Sequence, residues 1–268
     1  MKYYPALTTK EEMGPVIITA PKTALCSYHY FGKYAEWIKN LIAEGVDIFI
    51  DSGAFSAETQ NYEIDIDKYC KFLIESNAAT YAGLDVIGDA KRTWDNTKYM
   101  EKNYNLTPIP TFHLGGNLDD LYKLFDYNYI ALGGLVFSGS ITRYCDEVWS
   151  ILLKEVPNIR VHGFGMTNFE LMERYPWYSV DSSSYKSGRR FGRIQTLWNG
   201  FNWKTFSEEE FLKHLNDIGH TTDWMEKKNR RLIYDFYSCN SYKLFASHLD
   251  ELNKIKDFSY LTAQLKMF

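Results

Sequence analysis

Two phrases in this 268-residue chain carry side chains able to do chemistry: Ile48-Phe49-Ile50-Asp51-Ser52-Gly53-Ala54-Phe55 and Tyr178-Ser179-Val180-Asp181-Ser182-Ser183-Ser184. Each is a β-type run ending in an aspartate and then breaking into small, turn-forming residues. An aspartate so placed stands at the carboxyl end of a buried strand, where α/β proteins keep their chemistry. The small neighbours leave both carboxylates accessible. Two of them, from opposite halves of the chain, suggest a paired-carboxylate site.

Further strand ends add Asp85, His113, the pair Gly133-Gly134 and His162-Gly163. That set is too acidic and too glycine-rich for a packing layer, and it reads as a pocket. Taken singly, each member has a plainer role. Asp85 would cap the next helix, His113 and His162 would be hydrogen-bonded structural histidines, and the glycines would serve a tight turn. A divalent-metal site would be expected to show an H-x-H, H-E-x-x-H or D-x-D cluster; the chain has none, so neither a metal nor a cofactor is expected. Beyond Asp181, Lys186, Arg189, Arg190 and Arg193 make a local basic patch suited to backbone phosphates of a nucleic acid. The plainer reading is a solvated loop. Lys227-Lys228 with Arg230-Arg231 reads as the exposed face of a helix.

The elements that must hold these residues alternate along the chain. Candidate strands cover residues 16–20, 46–51, 80–85, 109–113, 129–132, 160–163 and 177–181, with an eighth near 193–197. Tyr34, Trp37, Ile38 and Leu41 follow helical spacing, as do Leu118, Leu121, Tyr122 and Phe125, and Cys145, Val148, Trp149 and Leu152. Thr167-x-x-Glu170 and Ser207-x-x-Glu210 read as capping boxes. The alternation implies an α/β protein, a (β/α)8 TIM-type barrel of parallel strands over about residues 1–203. Extra C-terminal helices follow over 204–268, within a single domain. Pro108 and Pro110 conflict with a regular fourth strand, which is expected to be short or bulged.

Composition narrows the partners. Hydrophobic residues make up 45% and charged residues 24%, so a packed globular core is expected. Aromatic residues reach 17%, most of them for packing and a few for stacking on a ligand. The net charge of −4 gives no global attraction to nucleic acid, so a polyanion must be held by a local patch. Cys26, Cys70, Cys145 and Cys239 stand apart, without the spacing of a zinc knuckle or a disulfide framework. They fit reduced core thiols in the cytoplasm. No leader or run of about 18 apolar residues appears, so no membrane partner is expected.

Four short motifs now resemble one family in order. Asp51-Ser52-Gly53-Ala54-Phe55 resembles the Asp-Ser-Gly-Gly-aromatic motif of the tRNA-guanine transglycosylase superfamily. Leu132-Gly133-Gly134-Leu135 resembles its Gly-Gly-Leu segment, and His162-Gly163-Phe164-Gly165 its later Gly-x-Gly strand end. Asp181, with Ser187-Gly188-Arg189 downstream, lies where the family carries its nucleophilic aspartate and a Ser-Gly-Arg. The match runs from about residue 48 to 195. The family's terminal C-x-C-x-x-C zinc site is missing, which together with the short chain and Val180-Asp181-Ser182-Ser183 is similar to the DpdA-type (phage-like) 7-deazaguanine DNA transglycosylases.

The resemblance implies exchange of guanine in DNA for a 7-deazaguanine base (preQ0-like), with no zinc subdomain and no cofactor. The partners would be DNA, or alternatively tRNA, and the free base; a phage-encoded enzyme would work in the host cytoplasm. A non-catalytic nucleic-acid-binding paralogue is the other alternative. Asp181 would be the nucleophile and Asp51 the acid and base. Asp85 would accept from the N1–H and 2-amino group of guanine. His113 and the backbone of Gly133, Gly134 and Leu135 would hold the opposite edge, and Ser52, Phe55 and His162 would line or sandwich the ring. The oligomeric state is not implied.

Overall fold

The computed structural model describes residues 1–113, 115–135, 141–220 and 227–263. Eight parallel strands follow one another around a barrel. They are β1 (Lys2–Leu7), β2 (Thr23–Ser27), β3 (Asp47–Asp51), β4 (Thr80–Tyr81), β5 (Thr111–His113), β6 (Tyr129–Gly133), β7 (Arg160–Gly163) and β8 (Ser179–Ser182). β1 pairs with β8, so the first and last strands meet. The remaining seam, between β4 and β5, is closed by one parallel bridge, Ala82 to Ile109. There Gly83 N donates to Ile109 O and Ile109 N to Tyr81 O, each at 2.9 Å. Helices flank the strands, as a (β/α)8 barrel requires.

The class matches expectation, but two strands come from other segments. Residues 16–20 are not a strand; most of them fall in or beside the helix Met13–Ile17. Pro15 fits a first helical turn, where a missing N–H costs little. The barrel instead opens with β1, whose pattern is interrupted by Pro5, and with β2, which is buried at all five positions and so lacks the alternation of a half-exposed strand. Residues 193–197 also lie outside the ring. Ile194–Trp198 (β9) pairs antiparallel with Asn202–Phe206 (β10) as a separate hairpin. Pro108 and Pro110 do shorten their strand: β5 keeps three ladder residues, and Pro110 contributes only its carbonyl, accepting from Ala131 N at 2.9 Å.

Register explains why the chemistry-bearing residues converge. Side chains alternate across a strand, and in-register partners of a parallel pair share a face. Tyr4, Leu25, Phe49, Ala82, Ile109 and Ala131 form the packed interior layer, one from each of six consecutive strand positions around the ring. Two residues toward the carboxyl end on the same face stand Ser27, Asp51 and Gly133, and His113 is in register with Gly133. His162 is in register with Ala131, and Ser179 with His162, so β7 and β8 put polar side chains into the interior where the other strands put apolar ones.

The C-terminal part buttresses β1 and the turn that follows β8. Ser207 caps the helix Glu208–Asp217 with both halves of the expected box, Glu210 returning to the Ser207 amide at 2.8 Å. The box at 167–170 is replaced: Asn168, not Thr167, caps the helix Phe169–Arg174. The helix Lys227–Asn253 lies along the barrel, stacking Tyr242 on Tyr3 with ring centroids 4.9 Å apart. Its buried Lys243 Nζ donates to Val16 O at 2.8 Å and Thr19 O at 3.2 Å. All four cysteines are free and buried, and no helix among the described residues is long and apolar enough to cross a membrane.

Candidate active site

Asp51 ends β3, and the chain turns at once into the helix Ala54–Thr59. Gly53 makes that turn with φ 83°, a left-handed conformation that disfavours side chains. A Cβ there would also stand 2.7 Å from His29 Cβ and 2.8 Å from Ser27 Oγ, so glycine is required twice. The Asp51 carboxyl is raised to about 6, first by burial and then by the charge of Asp181, with Asp85 adding to it. The Gly53 amide and the Ser27 hydroxyl pull the other way without cancelling the rise. The three aspartates are therefore close enough to feel one another. At near-neutral pH Asp51 is poised between acid and base.

Asp181 lies in β8 and is almost fully buried. Its Oδ1 accepts from Gly165 N at 2.9 Å and from His162 Nε2 at 3.2 Å. Oδ2 receives no hydrogen bond from the described residues. One oxygen is thus held while the other is left for a reaction partner. Gly165 brings its amide round with φ 64°, so the Gly-x-Gly end of β7 serves the carboxylate directly.

Asp85 does not cap a helix; Asp89 does, accepting from Arg92 N. Instead Asp85 Oδ1 accepts from His113 Nε2 at 2.7 Å and from Thr93 Oγ1 at 2.9 Å. His113 and Asp85 therefore stand side by side, hydrogen-bonded to each other. Gly133 allows this arrangement: a Cβ there would meet His113 Cε1 and Nδ1 at 2.9 Å. Gly134, with φ 78°, turns the chain out of β6. A recess of about 250 Å³ adjoins Asp85, walled by Ala54, Ala57, Leu84 and Ile87. Glu58, Glu63, Arg92 and Asn96 share its lining, so its walls are mixed polar and apolar.

The remaining candidates divide. Phe55 sits in the first turn after Asp51 and is half exposed, at the rim. Ser52 is buried, and its hydroxyl has no hydrogen-bond partner among the described residues. His162 is fully buried between Phe49, stacked at 4.4 Å, and Phe164, edge-on at 4.7 Å. It lies beneath Asp181 and touches its carboxylate, so it cannot form a face of a base sandwich.

The basic patch also separates. Lys186 is fully buried, its Nζ 3.0 Å from Glu12 Oε2 and 3.3 Å from Thr8 Oγ1. Arg189 reaches the same Glu12 and lies 3.4 Å from buried Asp235. Both cations are committed to carboxylates inside the protein, which removes them from phosphate binding. Arg190 and Arg193 remain exposed.

Three further side chains support the site: Thr93 on Asp85, Ser179 on His162, and Tyr129 on Ser179. Ser179 had a signal, since it stands two residues before Asp181 and shares its face. Thr93 had none, being one threonine in a helical stretch. Among the described residues, no three His, Cys, Asp or Glu side chains gather as a metal centre. No protein-family model matches the chain, and no curated protein matches it significantly.

Proposed function

We propose that this chain is a base-exchange transglycosylase that replaces guanine in DNA with a 7-deazaguanine derivative. The observation that carries the reading is the carboxyl pair: Asp51 is lifted to about 6 by burial and by the charge of Asp181, whose Oδ2 accepts no hydrogen bond from the described residues. A carboxyl that can carry a proton near neutral pH, beside a second that can attack, is what a double displacement at a sugar carbon needs. The four-motif resemblance to the transglycosylases supports the choice of a purine nucleoside over other glycosides.

In this mechanism Asp181 Oδ2 attacks C1′ as the C1′–N9 bond breaks. The bonding pair leaves with guanine, which takes the proton of Asp51. The deazaguanine then gives its ring proton to Asp51 and attacks C1′. The ester bond to Asp181 breaks, and the β configuration is retained. Asp85 uses its remaining lone pairs for the N1–H and 2-amino group of guanine, with His113 fixing its orientation. Because the target must leave the stack, the substrate is a flipped, distorted or single-stranded nucleotide.

The test is exchange of labelled guanine into duplex DNA, single-stranded DNA and tRNA. Incorporation into DNA that is lost in Asp181→Ala is the expected result. Incorporation into tRNA alone would move the activity to RNA. No incorporation into any polymer would overturn the reading.

A further inference from the structure

His162 forms part of a hydrogen-bonded line that crosses the barrel. Its Nε2 meets Asp181 Oδ1 at 3.2 Å and its Nδ1 meets Ser179 Oγ at 2.6 Å. Ser179 Oγ in turn meets the Tyr129 hydroxyl at 2.5 Å. Tyr129 begins β6, and it lines a cavity of about 630 Å³ with Lys2, Arg160 and Tyr178, which stand at the amino ends of β1, β7 and β8. The line thus runs from the carboxyl-end site to a cavity at the opposite end.

Donor and acceptor rules give the line one direction. An ionised carboxylate only accepts, so Nε2 carries the hydrogen facing Asp181. In a neutral imidazole Nδ1 is then an acceptor, which the Ser179 hydroxyl must fill by donating. The Ser179 oxygen is left to accept from Tyr129. Every hydrogen points toward Asp181. The ring is also clamped by Phe49 and Phe164 on its faces and edge.

We infer that His162 is the positioning residue of Asp181, its tautomer fixed by Ser179 and Tyr129, so that Oδ1 is held and Oδ2 is presented to the sugar. This rests on Asp181 being the nucleophile, but the state of the imidazole can be read without any activity.

The experiment is nitrogen-15 NMR of the His162 ring in the whole protein at neutral pH, without DNA. Nε2 should be protonated and Nδ1 an unprotonated acceptor. Tyr129→Phe is nearly isosteric and lies far from Asp181; it should shift the Nδ1 resonance toward that of an unbonded nitrogen. Ser179→Ala should shift it further and mix the tautomers. A hydrogen on Nδ1 in the unaltered protein, or an Nδ1 signal that neither variant moves, would overturn the inference. A second readout is the rate of enzyme–DNA adduct formation, which Tyr129→Phe should lower about ten- to a hundredfold with DNA affinity unchanged. If the unaltered protein forms no adduct, the transglycosylase reading fails while the NMR result still decides the role of His162.

Discussion

Asp51 is a side chain whose surroundings oppose its own charge. Burial, then the field of Asp181, lifts its carboxyl to about 6, whereas an unfolded chain would release that proton near pH ~4. Between roughly pH 4 and 6 the folded protein holds a proton that the unfolded chain has lost, so stability falls as pH rises through that window. Above it the cost of the charge persists, and an amide at this position would remove it. Asp51→Asn is expected to stabilise the protein at pH 8 by on the order of 1–3 kcal/mol and to do little at pH 4. Calorimetric Tm values at the two pH values check this. An equal gain at both, or a loss at pH 8, would contradict it. Asp51 and Asp181 were legible because a β-type run and small following residues mark each. The place of His162 was not, because its partners depend on the register between β7 and β8, which no local pattern encodes.

The elements were legible where their hydrophobic period was clean and hidden where it was not. β3 and β6 announce themselves as apolar runs. β1 was masked by Pro5 and β2 by burial on both faces, so the expected ring borrowed residues 16–20 and 193–197 in their place. The loop after β8 gives a second lesson. Its cations read as a surface patch because sequence cannot show that Glu12 and Asp235 fold in beneath them. Burial raises the Glu12 carboxyl, yet Lys186 and the Thr8 amide more than offset this and leave it below its usual range. Burial lowers the Lys186 ammonium to about 8, with Glu12 resisting. Removing the shared carboxylate strands the fully buried Lys186 and leaves Arg189 with Asp235. Glu12→Gln is therefore expected to cost about 3–5 kcal/mol, while Arg190→Ala should stay within about 0.5 kcal/mol. Denaturant midpoints at neutral pH measure both; a small Glu12→Gln effect would mean that the cluster does not pin the loop.

For the whole molecule, alternation of strands and helices was enough to give a barrel, while its seams were set by long-range pairing. Closure between β4 and β5 rests on one bridge flanked by Pro108 and Pro110. If the proposed function holds, a net charge of −4 leaves DNA to be held by a small part of the surface, and Arg190 and Arg193 are exposed cations beside β8. Each phosphate neutralised steepens the salt dependence of binding by about 0.9 in log–log slope, so the Arg190→Ala, Arg193→Ala double variant should reduce the slope by about 2. An unchanged slope would place the DNA elsewhere. What remains is whether Asp181 bonds to the sugar. The protein should be incubated with a guanine-containing DNA strand, quenched in denaturant and digested, and the modified peptide mapped by mass spectrometry. A deoxyribosyl-DNA adduct on the peptide that holds Asp181, absent in Asp181→Asn and released by added 7-deazaguanine, is the expected result. An adduct on another residue, or none under conditions where guanine exchanges, would contradict the paired-carboxylate mechanism.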